Sequence, residues 1–401
     1  MPFDVDAIRS RYPALAEGYL HFDNAGGSQV AAPVADAVAD TMRAAVSNRS
    51  TAFEPGRRSG EIVAAARHAL ADLLGAVPRG VVLGPSATAL TYRVARALAG
   101  TWRPGDEIVV SRLDHDANVR PWVQLAARAG VTVRWAEFDR ATGDLPVAQY
   151  ERLVGARTRL VALTAAGNAN GAAPDVAAVA AIARAAGALT YVDGVHRTPH
   201  VATDVAALGA DFYVTSAYKW SGPHLAAVAA DPALWERLRP MKLAPSPESV
   251  PDRFELGTAS FEQLAGVIAA VEHLADLAPA TPGLDRRGRL RESFAEIQRY
   301  ESALLARLHD GLASLSGVSL LPAPARRCPT VSFRLADQPP ARTAALLGER
   351  GICVSAGDYY AYEYFEALGL RDSGGAVRAS LYHYNTEAEV DALLTALSEL
   401  A

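Results

Sequence analysis

The sequence predicts an α/β protein with a mostly parallel sheet and helices on both faces. From about residue 60 onward, segments with helical spacing alternate with short apolar runs. Runs such as EIVVS at 107–111 and TRLVALT at 158–164 are apolar throughout, which is typical of parallel strands buried on both faces. Between them, segments such as DVAAVAAIARAAG at 175–187 have helical periodicity and end in glycine. This alternation indicates a doubly wound sheet.

The pattern changes near residues 275–290. LAPATPGLDRRGRLRE is rich in proline, glycine and charge, and the helical segment ESFAEIQRYESALLARLHDGL follows it. The remaining chain has the order strand, helix, strand, strand, helix, which predicts a small α+β domain. We therefore expect a large domain over 16–275 and a small domain formed by 1–15 together with 276–401.

Composition argues against several classes of protein. The net charge of −5 argues against nucleic-acid binding. No run approaches the ~20 apolar residues needed to span a bilayer, and MPFDVDAIRSRYPAL lacks the apolar core of a signal peptide. Cys328 and Cys353 cannot form a disulfide framework and lack metal-site spacing. We expect a cytoplasmic protein without membrane, nucleic-acid or metal partners.

Polar side chains follow the predicted strands one after another. Ligands of such sheets bind where the carboxyl ends of strands meet helix N-termini. Ser86, Ala87 and Thr88 come after GVVLG at the start of a helix, where backbone N–H groups can bind phosphate. The other residues at strand ends are His115, Asn168, Asp193, His196, Ser216 and Lys219.

These residue types match the needs of pyridoxal phosphate (PLP). PLP requires a lysine amine for covalent attachment, a carboxylate for its pyridine nitrogen, a donor to its ring oxygen and a phosphate site. Lys219 follows the buried run DFYVTS, where an apolar setting would depress the pKa of its amine. A metal site at His196 and His200 is the alternative on spacing alone, but that spacing needs a helix and HRTPH contains a proline.

The stretch YVDGVHRTPHVATDVAALGADFYVTSAYKWSGPH resembles the lysine block of the class V aminotransferase group of fold-type I PLP enzymes. Within that group it is most similar to the branch of cysteine desulfurases and selenocysteine lyases. Further matches over roughly residues 10–400 are HFDNAGGSQVA, DEIVVSRLDHDANVRPW, GNANG, FELGTASFEQLAGV and VRASLYHYNTEAEVDALLTAL. The resemblance implies a fold-type I architecture, with a seven-stranded sheet in the large domain and a small C-terminal domain.

The resemblance also implies how the cofactor ring is held. Lys219 would carry the cofactor, Asp193 would pair with the pyridine nitrogen, and His115 would stack on the ring. Asn168 and His196 would contact the ring oxygen. Many relatives have glutamine in place of His196, so this histidine departs from the family pattern.

For the phosphate, the resemblance implies contacts from Ser216 and from the Ser86–Thr88 turn, in which Ala87 offers only its backbone amide. Thr258, in ELGTAS, would reach the phosphate across a subunit interface, so we expect a homodimer with shared sites. Tyr218 is also assigned to cofactor binding, although desulfurases commonly carry a histidine there.

On the substrate side, the resemblance implies that Arg378 grips the carboxylate of an amino acid, a task that suits a guanidinium. Asn24 and Tyr359 are assigned to the same substrate site. Desulfurases of this branch carry a persulfide-forming cysteine on the loop that matches SAGDYYAYEYF. Here Tyr360 takes its place, and a phenol cannot accept sulfur as a thiolate does.

These observations favour a C–S lyase that eliminates the β-substituent of cysteine or a cysteine-derived amino acid without an enzyme persulfide. Lys219 would remove the α-proton, and Tyr359 or Tyr360 would protonate the leaving sulfur. An aminotransferase or an amino-acid epimerase would share the α-proton step and is the alternative. A third hypothesis is a protein that binds PLP without turnover, which the joint presence of Lys219, Asp193, His115 and Arg378 argues against.

Overall fold

The computed structural model describes residues 3–279 and 281–400. Its strands are β1 Leu20–His21, β2 Val81–Gly84, β3 Glu107–Ser111, β4 Thr132–Ala136, β5 Thr158–Thr164, β6 Leu189–Asp193, β7 Phe212–Ser216, β8 Ala226–Ala230, β9 Val318–Leu320, β10 Thr330–Leu335, β11 Ile352–Cys353, β12 Ser355–Gly357 and β13 Ala376–Ser380. Its α-helices are α1 Val5–Arg9, α2 Ala32–Arg43, α3 Glu54–Leu74, α4 Ala87–Ala99, α5 Arg120–Ala129, α6 Tyr150–Leu153, α7 Val176–Ala185, α8 Val205–Leu208, α9 Pro232–Arg237, α10 Phe261–Ala275, α11 Arg286–Ser314, α12 Pro340–Gly348, α13 Tyr362–Ala367 and α14 Glu387–Ser398.

The large sheet has seven strands in the order β2-β8-β7-β6-β5-β3-β4. Strands β7, β6, β5, β3 and β4 pair in parallel, whereas β8 is antiparallel to both of its neighbours. This confirms the predicted α/β class, the mostly parallel sheet and the fold-type I architecture. The sequence analysis missed β8, since four of its five residues are alanine and alanine has little preference for strands.

The sheet is buried on both faces because successive side chains of each strand point in opposite directions. In β3, Val109 packs into a core shared with α3, α7 and α10, whereas Ile108 and Val110 pack into the opposite core with α4, α5 and α9. Every residue of β3 is buried. The sheet is therefore a rigid platform that holds the loops after its strands in place.

The small domain is built on an antiparallel sheet with the order β12-β13-β10-β9. The N-terminal segment packs against this domain. Strand β1 pairs with β11, and Nη1 of Arg9 lies 2.8 Å from Oε1 of Glu389. Helix α11 connects the two cores: Phe294 belongs to the core of the large domain, and Leu308 belongs to that of the small domain. The predicted domain boundaries stay a prediction.

Helix α11 begins earlier than expected, inside the charged stretch that was predicted to separate the domains. Asp285 caps it by accepting a hydrogen bond from the backbone N–H of Gly288, and Arg286 then pairs with Asp72 and Glu272. Within the two described ranges, no helix is both long enough and apolar enough to cross a membrane.

Candidate active site

The loops at the carboxyl ends of the strands surround two adjoining cavities. The residues that line the inner cavity, of about 90 Å³, include Ser86, Ala87, Thr88, His115, Asn168, Asp193, His196, Ser216, Tyr218 and Lys219. The outer cavity, of about 690 Å³, is lined by Arg378, Tyr359 and Tyr360 among others. Lys219 lines both cavities. The structure thus brings the residues assigned to the cofactor, apart from Thr258, together in one space and places Arg378 and Tyr359, which are assigned to the substrate, in the next.

Lys219 lies at the end of a tight turn that follows β7. The turn is anchored by Trp220, which is fully buried and donates a hydrogen bond from its indole nitrogen to Thr215 Oγ1 at 3.0 Å. Nζ of Lys219 donates to the backbone carbonyl of Ala25. Burial lowers the pKa of Lys219 to about 7, with a further lowering by the charge of Arg378. A large fraction of the amine is therefore uncharged near neutrality.

This pKa predicts how covalent PLP uptake by cofactor-free protein depends on pH. Only the uncharged amine can attack an aldehyde, so the rate of uptake should rise with pH and level off above about 7. The visible absorbance that develops after mixing with PLP measures this rate. A rate that continues to rise far above pH 7, as for an ordinary lysine, would contradict the assignment.

Asp193 ends β6 in the floor of the inner cavity. It accepts a hydrogen bond from the backbone N–H of Val195 at 2.9 Å. Burial raises its pKa to about 6, so this carboxylate would gain from a cationic partner. The next residue must be Gly194, because a Cβ there would lie 1.9 Å from Cζ of Tyr213. The missing side chain lets the turn that carries Asp193 lie directly against the sheet.

His115 forms a flat, uncharged wall of both cavities. Its Nδ1 accepts a hydrogen bond from the backbone N–H of Ala117 at 3.0 Å. Burial lowers its pKa to about 4, and the charges of Lys219 and Arg378 act in the same direction. Its ring faces that of Tyr360 at 5.6 Å between centroids, with 25° between the planes. A neutral imidazole in this position suits stacking on an aromatic group.

The inner cavity has the donor set that PLP requires. Ser86 caps α4 and accepts from the N–H of Ala89, so the first turn of that helix opens towards the cavity beside Ser216. Two buried side-chain atoms of lining residues have no hydrogen-bond partner, Oδ1 of Asn168 and Nδ1 of His196. Of these two atoms, only Nδ1 of His196 can carry a proton and donate to the ring oxygen of PLP, since the amide oxygen of Asn168 can only accept. Together with Asp193 and Lys219, His196 and the N-terminus of α4 fit the phosphate, ring oxygen, ring nitrogen and aldehyde of PLP.

Arg378 is a buried cation that lines the outer cavity. It is 3% exposed, and its Nη1 donates to the backbone carbonyl of Asn168 at 2.9 Å. Its guanidinium lies 4.4 Å from the ring centroid of Tyr359, and its Nε has no hydrogen-bond partner. Burial lowers its pKa to about 10, so it remains charged at neutral pH. Among the described residues it forms no salt bridge, which leaves it free to bind a carboxylate.

The two tyrosines of the loop after β12 differ in their surroundings. The hydroxyl of Tyr359 donates to the backbone carbonyl of Ala376, whereas Tyr360 is 73% exposed at the mouth of the cavity. Both have left-handed backbones, with φ of 49° and 60°. This conformation costs a non-glycine residue about 1–2 kcal/mol, and such strain is concentrated at functional sites. Of the two, only Tyr360 keeps its hydroxyl available to a substrate.

Two predicted site residues lie outside both cavities. The amide of Asn24 donates to the backbone carbonyls of His21 and Ser380, and its oxygen accepts from the hydroxyl of Tyr384, so it ties the N-terminal segment to the small domain. These contacts give Asn24 a structural role, and its assignment to the substrate stays a prediction. Thr258 lines a third cavity, together with Gly84 and Pro85.

Neither cysteine lines the inner or the outer cavity. Cys328 is buried, and its burial raises the pKa of its thiol to about 12. Cys353 lies in β11, where it pairs with His21, and burial raises its pKa as well. A thiolate is therefore disfavoured at both positions.

Sequence reasoning missed several residues that shape the site. Ala25 supplies the carbonyl that holds Lys219, Asp23 adds a half-buried negative charge beside it, and Ser355 Oγ accepts a hydrogen bond from Nη2 of Arg378. Asp23 and Ala25 lie within the quoted motif HFDNAGGSQVA, so that motif was the available signal. Ser355 lies in the loop segment SAGDYYAYEYF.

Comparison with known proteins agrees with this geometry. The family model described as aminotransferase class-V matches residues 20–393. An uncharacterised protein of Mycobacterium tuberculosis is 36% identical over 401 residues, which cover 100% of both chains. A probable cysteine desulfurase of Pseudomonas aeruginosa is 33% identical over 407 residues, 97% of this chain and 96% of the relative.

Among solved structures, a cysteine desulfurase of Escherichia coli in an S-sulfonic acid form has a TM-score of 0.87 at 27% identity, covering 100% of this chain and 98% of that chain. Members of the matching family bind PLP. The chain therefore belongs to the class V aminotransferase family and is similar to its cysteine desulfurases.

Proposed function

We propose that the protein is a PLP-dependent C–S lyase that acts on cysteine or a cysteine-derived amino acid without an enzyme persulfide. In the overall reaction, the Cα–H, Cβ–S and Cα–N bonds break, and one water is consumed, whose oxygen becomes the keto oxygen of the product. The products are pyruvate, ammonia and a thiol. The observation that carries this proposal is the lining of the outer cavity, which includes Lys219, Tyr359 and Tyr360 and, among the described residues, no cysteine.

When bound, PLP makes the α-proton of an amino acid acidic by accepting electrons from the α-carbon. Side chains of the protein must accept and donate the protons at the reacting atoms. Burial lowers the pKa of Lys219 to about 7, so a substantial fraction of its amine is uncharged near neutrality and would accept the α-proton. Arg378 would bind the substrate carboxylate, and the carboxylate of Asp193 would keep a proton on the ring nitrogen.

The leaving sulfur needs a proton when the Cβ–S bond breaks. Tyr360 suits this role because its hydroxyl is free and its ring is held beside His115. Tyr359 suits a different role, because its hydroxyl is bound to a backbone carbonyl and its ring lies against the guanidinium of Arg378. We assign Tyr359 to the positioning of Arg378 and Tyr360 to proton donation.

Product analysis with a panel of cysteine, S-substituted cysteines and other amino acids tests the reaction type. Elimination predicts pyruvate and ammonia in equal amounts, together with the free thiol. Alanine with sulfide would indicate desulfuration, a new amino acid formed from a keto acid would indicate transamination, and loss of optical activity alone would indicate epimerisation. Each of these three outcomes would overturn the proposal.

Replacement of Tyr360 by phenylalanine should lower turnover while leaving PLP content and thermal stability unchanged. The ring and its stacking on His115 remain, and only the proton donor is lost, which predicts a fall of ~10²- to 10⁴-fold. The fall should be larger for substrates whose thiols have higher pKa values, since those leaving groups depend more on protonation. Tyr362→Phe, outside both cavities, is the matched control. A fall that is independent of the leaving group would contradict the proton-donor role.

We also propose that the active protein is a homodimer in which Thr258 binds the phosphate in the partner's site. Thr258 lines a cavity with Gly84 and Pro85, directly before the phosphate-binding turn at Ser86, and this placement supports a contact across an interface. Light scattering of PLP-loaded protein should give twice the mass of the chain, and Thr258→Ala should weaken PLP binding without changing that mass. A PLP-loaded monomer would rule out the shared site.

A further inference from the structure

Two adjacent backbone carbonyls of the loop after β12 are held by the large domain. The side-chain amide of Asn168 donates to the carbonyl of Tyr359 at 2.9 Å, and the backbone N–H of Asp116 donates to that of Tyr360 at 2.7 Å. Both tyrosines have left-handed backbones, a conformation that persists where neighbouring contacts enforce it. The backbone of the loop is therefore fixed at its strained point, although the side chain of Tyr360 is exposed.

A buried side chain holds the same loop from its other end. Glu363 lies on α13, three residues after Tyr360, and its side chain is 8% exposed. Its Oε2 accepts a hydrogen bond from Nη1 of Arg112, and its Oε1 accepts one from Nη2 of Arg120, both at 2.6 Å. An arginine can only donate, so both oxygens of this side chain act as acceptors. Two guanidinium groups of the large domain therefore hold the end of the loop.

Arg120 links this contact to the one at Tyr360. Its Nε donates to Oδ1 of Asp116 at 2.7 Å, while its Nη2 binds Glu363. Asp116 is the residue whose N–H binds the carbonyl of Tyr360, so one arginine joins both attachment points in a closed circuit. Arg120 also lines the outer cavity. The loop, the wall of the cavity and the turn that follows His115 are thus parts of one network.

This network restricts where the hydroxyl of Tyr360 can lie. The ring of Tyr360 stacks on His115, and the backbone of Tyr360 binds Asp116, which is the next residue of the chain. Backbone and ring thus contact the same turn of the large domain. A donor held in this way acts at one place in the outer cavity and does not carry a group out of it.

We propose that Glu363 is a positioning residue for the hydroxyl of Tyr360. Through Arg112 and Arg120 it clamps the loop onto the large domain and fixes that hydroxyl over the outer cavity. Glu363 lines neither the inner nor the outer cavity, so it acts through the loop and not on the substrate. The clamp follows from the contacts of the chain alone, whereas its effect on turnover rests on the proposed function, in which Tyr360 protonates the leaving sulfur.

Hydrogen exchange resolved to single amides tests the clamp in cofactor-free protein. In the wild type, the N–H of Asp116 should be protected, because its acceptor is the carbonyl of Tyr360. Glu363→Gln replaces an acceptor oxygen by an N–H donor that faces an arginine, so the Asp116 amide should exchange at least ~10-fold faster. Glu366→Gln is the matched control, since Glu366 lies on the same helix and binds Arg371 at the surface. It should leave the exchange rate of Asp116 unchanged.

Arg112→Gln is a milder second variant, because it removes one ion pair of Glu363 and leaves the pair with Arg120. Its exchange rate at Asp116 should lie between those of the wild type and Glu363→Gln. An unprotected Asp116 amide in the wild type would overturn the clamp, whether or not the variants fold. A wild-type rate in a folded Glu363→Gln or Arg112→Gln protein would overturn it as well.

A double-mutant cycle tests the link between the clamp and Tyr360. In otherwise wild-type protein, Glu363→Gln should lower kcat by ~10- to 100-fold at unchanged PLP content. In Tyr360→Phe the same change should cost no more than about twofold, because the hydroxyl that the clamp positions is already absent. Equal losses in the two backgrounds would overturn the positioning role. Pyruvate missing from the products would instead refute the proposed function, whereas the exchange rates decide the clamp without substrate or PLP.

Discussion

Replacement of Lys219 by alanine is expected to abolish covalent attachment of PLP and to reduce turnover by ~10⁴-fold or more. Its amine lines both cavities, and burial gives it the lowered pKa that attachment and proton transfer require. The test is unusually clean because the chain has just two lysines, Lys219 and Lys242. Lys242 binds the backbone carbonyl of Ser246 and the carboxylate of Glu248, away from both cavities.

Borohydride reduction followed by peptide mass mapping measures the attachment directly. The reduced adduct should lie on the Lys219 peptide of the wild-type protein and of Lys242→Arg, and it should be absent from Lys219→Ala. Circular dichroism of Lys219→Ala controls for folding. An adduct on Lys242 or on the terminal amine of that variant, with activity retained, would show that the lysine is misassigned.

Replacement of Asp193 by asparagine should keep PLP bound but slow turnover by ~30- to 1000-fold. An amide cannot hold a proton on the pyridine nitrogen as a carboxylate does, and a charge-assisted contact of roughly 2–4 kcal/mol is lost from the reacting state. The loss should fall on kcat more than on KM, because Arg378, which we propose to bind the substrate carboxylate, is untouched.

Asp211→Asn is the matched control for Asp193→Asn. Asp211 is a carboxylate at the opposite end of the same strands, where it accepts hydrogen bonds from the backbone N–H and hydroxyl of Thr190. It should affect stability without affecting kcat. A wild-type kcat in Asp193→Asn, with PLP content confirmed by absorbance, would remove Asp193 from the catalytic machinery.

The sequence predicted the inner cavity well because the relevant signals are local. A run of apolar residues identifies a buried strand, and the residue after it reaches the sheet edge wherever the strands are parallel. Asp193, Ser216 and Lys219 all follow this rule. The turn at Ser86, which is predicted to bind the phosphate, follows it too, since the serine caps the helix that starts at the next residue.

The features that the sequence did not predict depend on packing between distant segments. Asn24 looks like a site residue within its motif, but its partners come from the small domain more than 350 positions away. The buried pair of His200 and Glu301 joins residues 101 positions apart, and Glu301 belongs to none of the quoted motifs. Periodicity and strand-end rules cannot detect such contacts, because they depend on how α11 packs between the two domains.

The rate of pyruvate formation by the double variant Cys328→Ala/Cys353→Ala, relative to wild type, tests the central claim most directly. Elimination without an enzyme thiol predicts a rate within about threefold of wild type, since neither cysteine lines the cavities and trimming a small buried side chain costs only ~1–2 kcal/mol of stability. A folded double variant that binds PLP but has lost turnover would contradict the account, because it would show that a cysteine of this chain takes part in the reaction.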